Sequence, residues 1–310
     1  MYRPFTKEWA YFNRRLNDMV YQMPRLFPTP RHHNLAISVT GLGVTKDFSV
    51  LITDNIPDVQ LLANGQCFPL YFYEKAESES SSANGELFGG DGAQPDTDGY
   101  VRRDGITDKA LAAYREHYGD DSISKEDLFY HVYGLLHSAE YRQRYAADLK
   151  RMLPRIPRPA TLVDFRAFSE AGRRLADLHL HYESIEPWPL EERFKAKQAG
   201  LLEDPLQRDY RVSKMRFLSK EDKTQIIYNG EITLAGIPPE AFEYVVNGKS
   251  ALEWVMERYQ VTADKNSGIV NDPNLWCEEQ GNPRYIIDLV KRVVRVSLET
   301  IKIVRALPQL

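Results

Sequence analysis

Cysteine is nearly absent from this chain: its 310 residues contain only Cys67 and Cys277. Two thiols so far apart, with no CxxC and no His/Cys spacing beside them, exclude a disulfide framework and the usual zinc patterns, and the expected compartment is a reducing cytoplasm. Long apolar runs are lacking as well. Nowhere do about 18 apolar residues stand in succession, so no helix is expected to span a bilayer. The opening MYRPFTKEWAYFNRR mixes Arg3 and Lys7 with Glu8 and has no continuous apolar stretch, so it fits neither a secretory signal nor a transit peptide. No repeat of solenoid length occurs, which excludes an array architecture.

Catalytic signatures are equally scarce. Gly248-Lys249-Ser250 has the ending of a phosphate-binding P-loop, but the position five residues before Gly248 is Glu243, a carboxylate where a glycine must let backbone amides cradle phosphate. Asp272-Pro273-Asn274-Leu275-Trp276 resembles the loop with which amino-methyltransferases hold a flipped base, yet Asn274 and the extra Leu275 break the pattern. A turn that lets Trp276 pack explains the stretch more simply. Pro57-Asp58 lies too far from Glu221-Asp222-Lys223 to read as one nuclease metal site. His179 and His181, two apart on a predicted helix, point to different sides and cannot ligate one ion as an i, i+4 pair does. With no GxSxG elbow and no HExxH, neither a catalytic nor a metal-binding residue can be named.

What is present is ample material for a core, 43% hydrophobic with 11% aromatic, and an uneven charge distribution. The net charge is −4, but Glu74 to Asp98 holds seven acids against Lys75 alone, a net −6, so the rest of the chain carries +2. A mildly basic remainder permits a phosphate-facing surface.

Apolar, β-branched runs predict strands at Leu35 to Val39, Phe48 to Thr53 and Pro69 to Tyr73. The Ser, Gly and acid-rich Ser78 to Gly99 cannot bury enough surface to offset its ordering entropy and reads as a mobile linker or loop. Helical periodicity begins near Thr107 and again at Ser124, where Ser124-Lys125-Glu126-Asp127 has the form of a capping box. One helix is predicted from Ser138 to just before Pro154 and another over Asp164 to Tyr182, ahead of Pro187. A second sheet follows: strands at Tyr210 to Phe217, Gln225 to Tyr228 and Glu231 to Leu234, the last two joined at the hairpin signal Asn229-Gly230. Pro238-Pro239 opens a short helix, Ser250 to Tyr259 forms another, and Pro283 to Leu307 a long terminal one. Its stripe of Ile286, Leu289, Val290, Val293, Val296, Leu298, Ile301 and Val304 reads as structural. The fold class is therefore α+β, divided as a sheet-rich part (1–77), an acidic linker (78–104), a helical block (105–205) and a second α/β part (206–310).

Nucleic-acid readers need cations for phosphates and planar or amide side chains for base edges. Arg25, Arg31, His32, His33 and Asn34 beside Pro28 and Pro30 form a stiff cationic loop suited to a groove, or a solvated loop. In YRVSKMRF, alternation would place Lys214 and Arg216 on one strand face with Val212; a lysine-bearing edge strand looks the same. Lys249, Arg258, Lys265 and Asn266 surround a helix anchored by Trp254, as would an ordinary helix surface. Lys223 joins them by loop placement, whereas Arg142, Arg144, Lys150, Arg151, Arg155 and Arg158 read as solvated helix surface. The contact candidates are thus Arg25, Arg31, His32, Lys214, Arg216, Lys223, Lys249, Arg258, Lys265 and Asn266.

YRPFTKEWAYF resembles the strand at which an adenine-N6 methyltransferase domain hands over to its target recognition domain in fused restriction-modification enzymes. FSVLITDNIPDVQLLANGQCFPLYFYE, DLFYHVYGLLHSAEYRQRYAADLKRMLPRIP, YNGEITLAGIPPEAFEYVVNGKSALEWVMERY and SGIVNDPNLW are similar to the C-terminal specificity region of single-polypeptide type ISP enzymes. The similarity covers nearly the whole chain and leaves out Ser78 to Gly99. It implies a longer polypeptide with a nuclease, an ATP-driven translocase and a methyltransferase upstream, which would use S-adenosylmethionine, ATP and Mg, while this chain holds no cofactor and performs no chemistry alone. It implies a partner in duplex DNA and another in the methyltransferase domain, against which the helical block would brace. Two rival readings predict different behaviour: a docking module that never touches DNA shows an acidic or apolar face where the cations are expected, and a nucleotide-binding enzyme using Gly248-Lys249-Ser250 is stabilised by ATP.

Overall fold

Antiparallel strands, each too short to bury a core alone, are held together by two long helices in the computed structural model, which describes residues 1–76, 94–195 and 209–310. The expected linker lies outside the described residues up to 93, as does the junction at 205/206. After a single-turn helix α1 (Met23–Leu26), strands β1 (Ala36–Val39), β2 (Val50–Thr53) and β3 (Gln66–Pro69) form a sheet of order β2-β1-β3. Ile37 lies opposite Ile52 and Phe68. β1 and β2 are buried on both faces, which is why they read as apolar runs without alternation. The predicted strand at Pro69 to Tyr73 is two strands: the chain bends at Leu70, and β4 (Tyr71–Lys75) pairs with β5 (Tyr100–Asp104) in a separate ribbon.

The helical block starts as expected. Thr107 caps α2 (Asp108–Tyr118), and Ser124 and Asp127 close a reciprocal capping box on α3 (Lys125–His137). The single helix predicted from Ser138 is broken at Tyr145 into α4 (Ala139–Arg144) and α5 (Ala146–Leu149). α6 (Leu162–Leu180) follows, with His179 buried on one side and His181 exposed on the other. α3 and α6 cross at a pair of glycines: a Cβ on Gly172 would lie 2.7 Å from the Tyr130 carbonyl carbon, and one on Gly134 3.1 Å from the Gly172 nitrogen. Only glycine lets the two backbones meet this closely.

A second sheet, order β6-β9-β8-β7, is made of β6 (Glu191–Phe194), β7 (Arg216–Phe217), β8 (Gln225–Ile227) and β9 (Ile232–Ala235). The predicted strand Tyr210 to Phe217 shrinks to its last two residues, because its backbone is taken up by side-chain clamps described below. Asn229-Gly230 does turn the chain between β8 and β9, but neither residue has positive φ. Instead the Asn229 Oδ1 accepts the N–H groups of Glu231 (2.9 Å) and Ile232 (2.8 Å). The two-residue turn with both φ values positive is found at Asn247 (51°) and Gly248 (84°), between β10 (Val245–Val246) and β11 (Lys249–Ser250). Gly248-Lys249-Ser250 is thus a hairpin followed by a helix cap, not a phosphate loop.

A 3-10 turn (Pro239–Phe242) leads into that hairpin. After it come α7 (Ala251–Arg258), whose Ser250 and Glu253 form a second capping box, a ribbon of β12 (Thr262–Ala263) and β13 (Val270–Asn271), then α8 (Asn274–Glu279) and the long α9 (Tyr285–Arg305). α9 joins the two main cores. Ile286 through Val296 pack among Ile226, Leu234 and Leu252, while Ile303 and Val304 reach the core formed by β1, β2, α3 and α6. Its 21 residues span roughly 30 Å at 1.5 Å each, enough to join both. Among the described residues no helix is long and apolar enough to cross a membrane.

Candidate nucleic-acid interface

The ten candidate residues separate into three groups once their partners are known. Arg25, Arg31 and His32 face acids of β4 and of the segment between β4 and β5. Arg25 pairs with Glu74 at 2.9 Å, Arg31 with Asp98, and the His32 Nε2 meets the Asp96 carboxylate at 2.9 Å. His32 is only 7% exposed, its ring edge-on to Tyr73 and Tyr100, with Thr29 on its Nδ1. Backbone N–H groups of Tyr100 and Asp98, together with His32, hold the Asp96 carboxyl below its ordinary range. Asn34 is a buried backbone clamp, donating to the carbonyls of Leu26 (3.0 Å) and Tyr71 (2.7 Å). The loop expected to enter a groove is therefore pinned to the protein and its charge is met by acids, and His32 cannot present itself at the surface.

Lys223, Lys249 and Arg258 pair with acids of α7. Lys223 pairs with Glu253 at 3.0 Å and lies 5.3 Å from the Phe217 ring; Lys249 pairs with Glu257 and lies 4.9 Å from the Trp254 ring; Arg258 also pairs with Glu257. Burial would raise both carboxyls, but hydrogen bonds outweigh it and keep them below the usual range, from Ser250 and Lys223 at Glu253 and from Lys249 and Arg258 at Glu257. Arg142, read as solvated, is partly buried: its Nε donates to the Leu136 carbonyl at 2.7 Å, and burial lowers its pKa.

Lys214, Arg216, Lys265 and Asn266 form the third group, and their side chains are exposed with no ion-pair or hydrogen-bond partner among the described residues. Alternation misplaced Val212, which is buried along with Met215 while Lys214 and Arg216 point outward. The reason is a pair of clamps. The Asn274 side chain accepts the Val212 N–H and donates to the Val212 carbonyl, each at 2.8 Å, doing what a neighbouring strand would do. The Ser213 carbonyl then accepts the Val261 N–H at 2.8 Å. Arg211 reaches Asp272 (3.1 Å) and Glu278 (2.9 Å). Residues 211–213 are thereby tied to both feet of the β12–β13 ribbon, which brings Lys214 and Arg216 to its base. Sequence reasoning missed Lys220, exposed beside them in a groove lined by Phe217, Ser219, Lys223 and Glu253. Its signal was hidden by Glu221 and Asp222, which the structure spends on turns: Ser219 donates to Glu221 at 3.0 Å, and Asp222 accepts from the Thr224 N–H at 2.9 Å.

The ribbon itself is exposed from Val261 to Asn271 without a break. Its loop is closed by Asp264, whose carboxylate accepts the N–H groups of Asn266 (3.0 Å) and Ser267 (2.8 Å), with Gly268 at a φ of 70°. These bonds hold the Asp264 carboxyl below its ordinary value and occupy its oxygens with the loop's own donors, leaving Lys265 and Asn266 at the tip. Nothing in this geometry resembles a reaction centre: among the described residues no three His, Cys, Asp or Glu side chains converge as metal ligands.

Comparison with known proteins places this surface in context. No curated protein matches the chain. Among solved structures, a nuclease-deletion mutant of the Type ISP restriction-modification enzyme LlaGI, in complex with a DNA substrate mimic, is 38% identical with a TM-score of 0.77; the match covers 100% of this chain and 24% of that one. The ATP-dependent Type ISP restriction-modification enzyme LlaBIII, bound to DNA, is 35% identical with a TM-score of 0.81, over 100% of this chain and 18% of that one. DrdV in a DNA complex is 35% identical with a TM-score of 0.79, over 99% of this chain and 28% of that one. The chain therefore spans between about a sixth and somewhat more than a quarter of the length of these relatives. The family description of the Type ISP C-terminal specificity domain matches residues 1–289. The chain, with its clamped ribbon and exposed cations, belongs to the Type ISP C-terminal specificity domain family.

Proposed function

We propose that this chain recognises a specific sequence in duplex DNA, and that within a longer polypeptide this readout directs adenine-N6 methylation and ATP-fuelled translocation and cleavage by upstream domains. The observation that carries the reading is the exposed trio Lys214, Arg216 and Lys220 at the foot of the ribbon, cations with no acidic partner among the described residues, in a chain of the specificity-domain family. Arg25, Arg31, Lys223, Lys249 and Arg258 are matched by carboxylates, whereas the trio keeps its charge available for a phosphate backbone. The relatives with this fold are complexes with DNA or a DNA mimic, which supports the same partner here.

S-adenosylmethionine, ATP and Mg belong, in this reading, to the upstream domains. The one phosphate-loop-like stretch, Gly248-Lys249-Ser250, does not fit a nucleotide, since it forms a tight hairpin with its lysine held by Glu257. The upstream methyltransferase domain would brace against the helical block, and the apolar side chains that the first segment exposes, among them Trp9 and Tyr21 beside a cleft of about 900 Å³, offer it a second surface.

Salt dependence tests the DNA reading. Each phosphate contact contributes about 0.9 to the slope of log K against log salt, so replacing Lys214, Arg216 and Lys220 together with alanine should lower the slope by about 2–3. A slope equal to that of the unaltered chain would place the phosphate contacts elsewhere.

A further inference from the structure

An isolated two-stranded ribbon is marginally stable in water, and this one exposes Ile269 (69%) and Val270 (59%) besides its polar tip. Such an element is costly to keep unless something covers it. Three features say what. First is size: Lys265 stands four residue steps from Val261, so the ribbon reaches up to roughly 13 Å from its base at about 3.3 Å per residue, against a major groove about 8.5 Å deep. Second is chemistry: the tip offers a lysine and an amide whose side chains have no partner among the described residues, while the one acid in the loop, Asp264, is consumed by backbone N–H groups. Third is anchorage. Both feet are bonded to residues 211–213, immediately before Lys214 and Arg216, so a ribbon seated in a groove would have cations beside it at the height of the phosphates.

We infer that the β12–β13 ribbon is the element of this chain that enters the major groove, and that Asn266 is a specificity-determining residue that pairs with an adenine edge. The inference rests on the DNA-recognition reading above and assigns roles within it. An asparagine amide can donate to adenine N7 and accept from its N6 amino group at once, a pattern that no other base presents in the major groove. Lys265, one residue away, suits a guanine O6 and N7, and Ile269 and Val270 offer apolar contact for a thymine methyl. Lys214, Arg216 and Lys220 supply sequence-independent contacts that fix register.

The 310-residue chain is tested by retaining duplexes from a randomised pool, sequencing what is bound, and titrating the best site and an unrelated duplex. For Asn266→Ala, preference at one base pair of the motif should vanish and affinity for the best site should fall about 5- to 150-fold, with binding to the unrelated duplex unchanged. Lys265→Ala should relax a different position. Lys214→Ala should weaken both duplexes alike. A motif that is untouched by Asn266→Ala and Lys265→Ala, or an equal loss on both duplexes, overturns this assignment while leaving DNA recognition intact. If the unaltered chain enriches no motif, DNA recognition itself fails and takes the assignment with it.

Discussion

Gly172→Ala sets two opposed effects against each other at the α3–α6 crossing. On an exposed helix, Gly→Ala stabilises by about 1 kcal/mol through helix propensity. Here the new Cβ would stand 2.7 Å from the Tyr130 carbonyl carbon and closer still to its oxygen, whereas ordinary contact begins at 3.4 Å. The helices must separate by at least the difference, and the obstacle is backbone, which cannot rotate aside as a side chain can. Overpacking costs about 1–3 kcal/mol, and an unyielding neighbour puts this site near the upper value. Subtracting the propensity gain leaves a loss of about 2 kcal/mol, or about 4 °C in Tm at roughly 2 °C per kcal/mol for a chain of this length. Thermal unfolding followed by circular dichroism and calorimetry reads it directly. A Tm equal to or above that of the unaltered chain would refute the close crossing.

Asn274→Ala removes the amide that satisfies both backbone groups of Val212, leaving a buried donor and acceptor unpaired at a cost of about 3 kcal/mol. Trypsin should then cut faster at Lys214 and Lys265, and unchanged cleavage there would mean the clamp does not hold the ribbon. Acid should weaken the fold through its buried histidines. Burial lowers the pKa of His131 to about 4 and of His179 to about 3, and holds that of His137 well below its ordinary 6.5. With the folded values depressed, stability is full above 6.5 and is lost as pH falls towards 4, because only the unfolded chain takes up protons in that window. Each histidine adds about 1.4 kcal/mol per pH unit there, so His131→Phe should flatten the dependence of Tm on pH by about a third. An unaltered slope would exclude His131 as a contributor.

Much of the local structure was legible because it is set by neighbours in sequence. Thr107 and Ser124 cap helices where their side chains can reach the next turn, and the period of apolar residues in α9 matches the face it buries. The family, too, was carried by long strings of residues rather than by any short motif. The candidate site was legible only in part, since a cation in a sequence does not show its partner. Arg25, Arg31 and His32 look like a basic loop until Glu74, Asp98 and Asp96, up to 67 residues away, are brought against them. Lys249 and Arg258 look available until both meet Glu257.

Composition and periodicity by themselves determined the α+β class, the helix starts and the surplus of positive charge outside one acidic segment, because each depends on residues within a few turns of one another. Tertiary structure alone decided which cations remain unmatched and where the ribbon stands. It also decided that Asn274 would take the place of a strand beside Val212 and that Asn247-Gly248 would form the tight turn in place of Asn229-Gly230. Those outcomes depend on hydrogen bonds and ion pairs closed between distant segments, where the same side chain can be solvated, paired or buried according to what the fold sets against it.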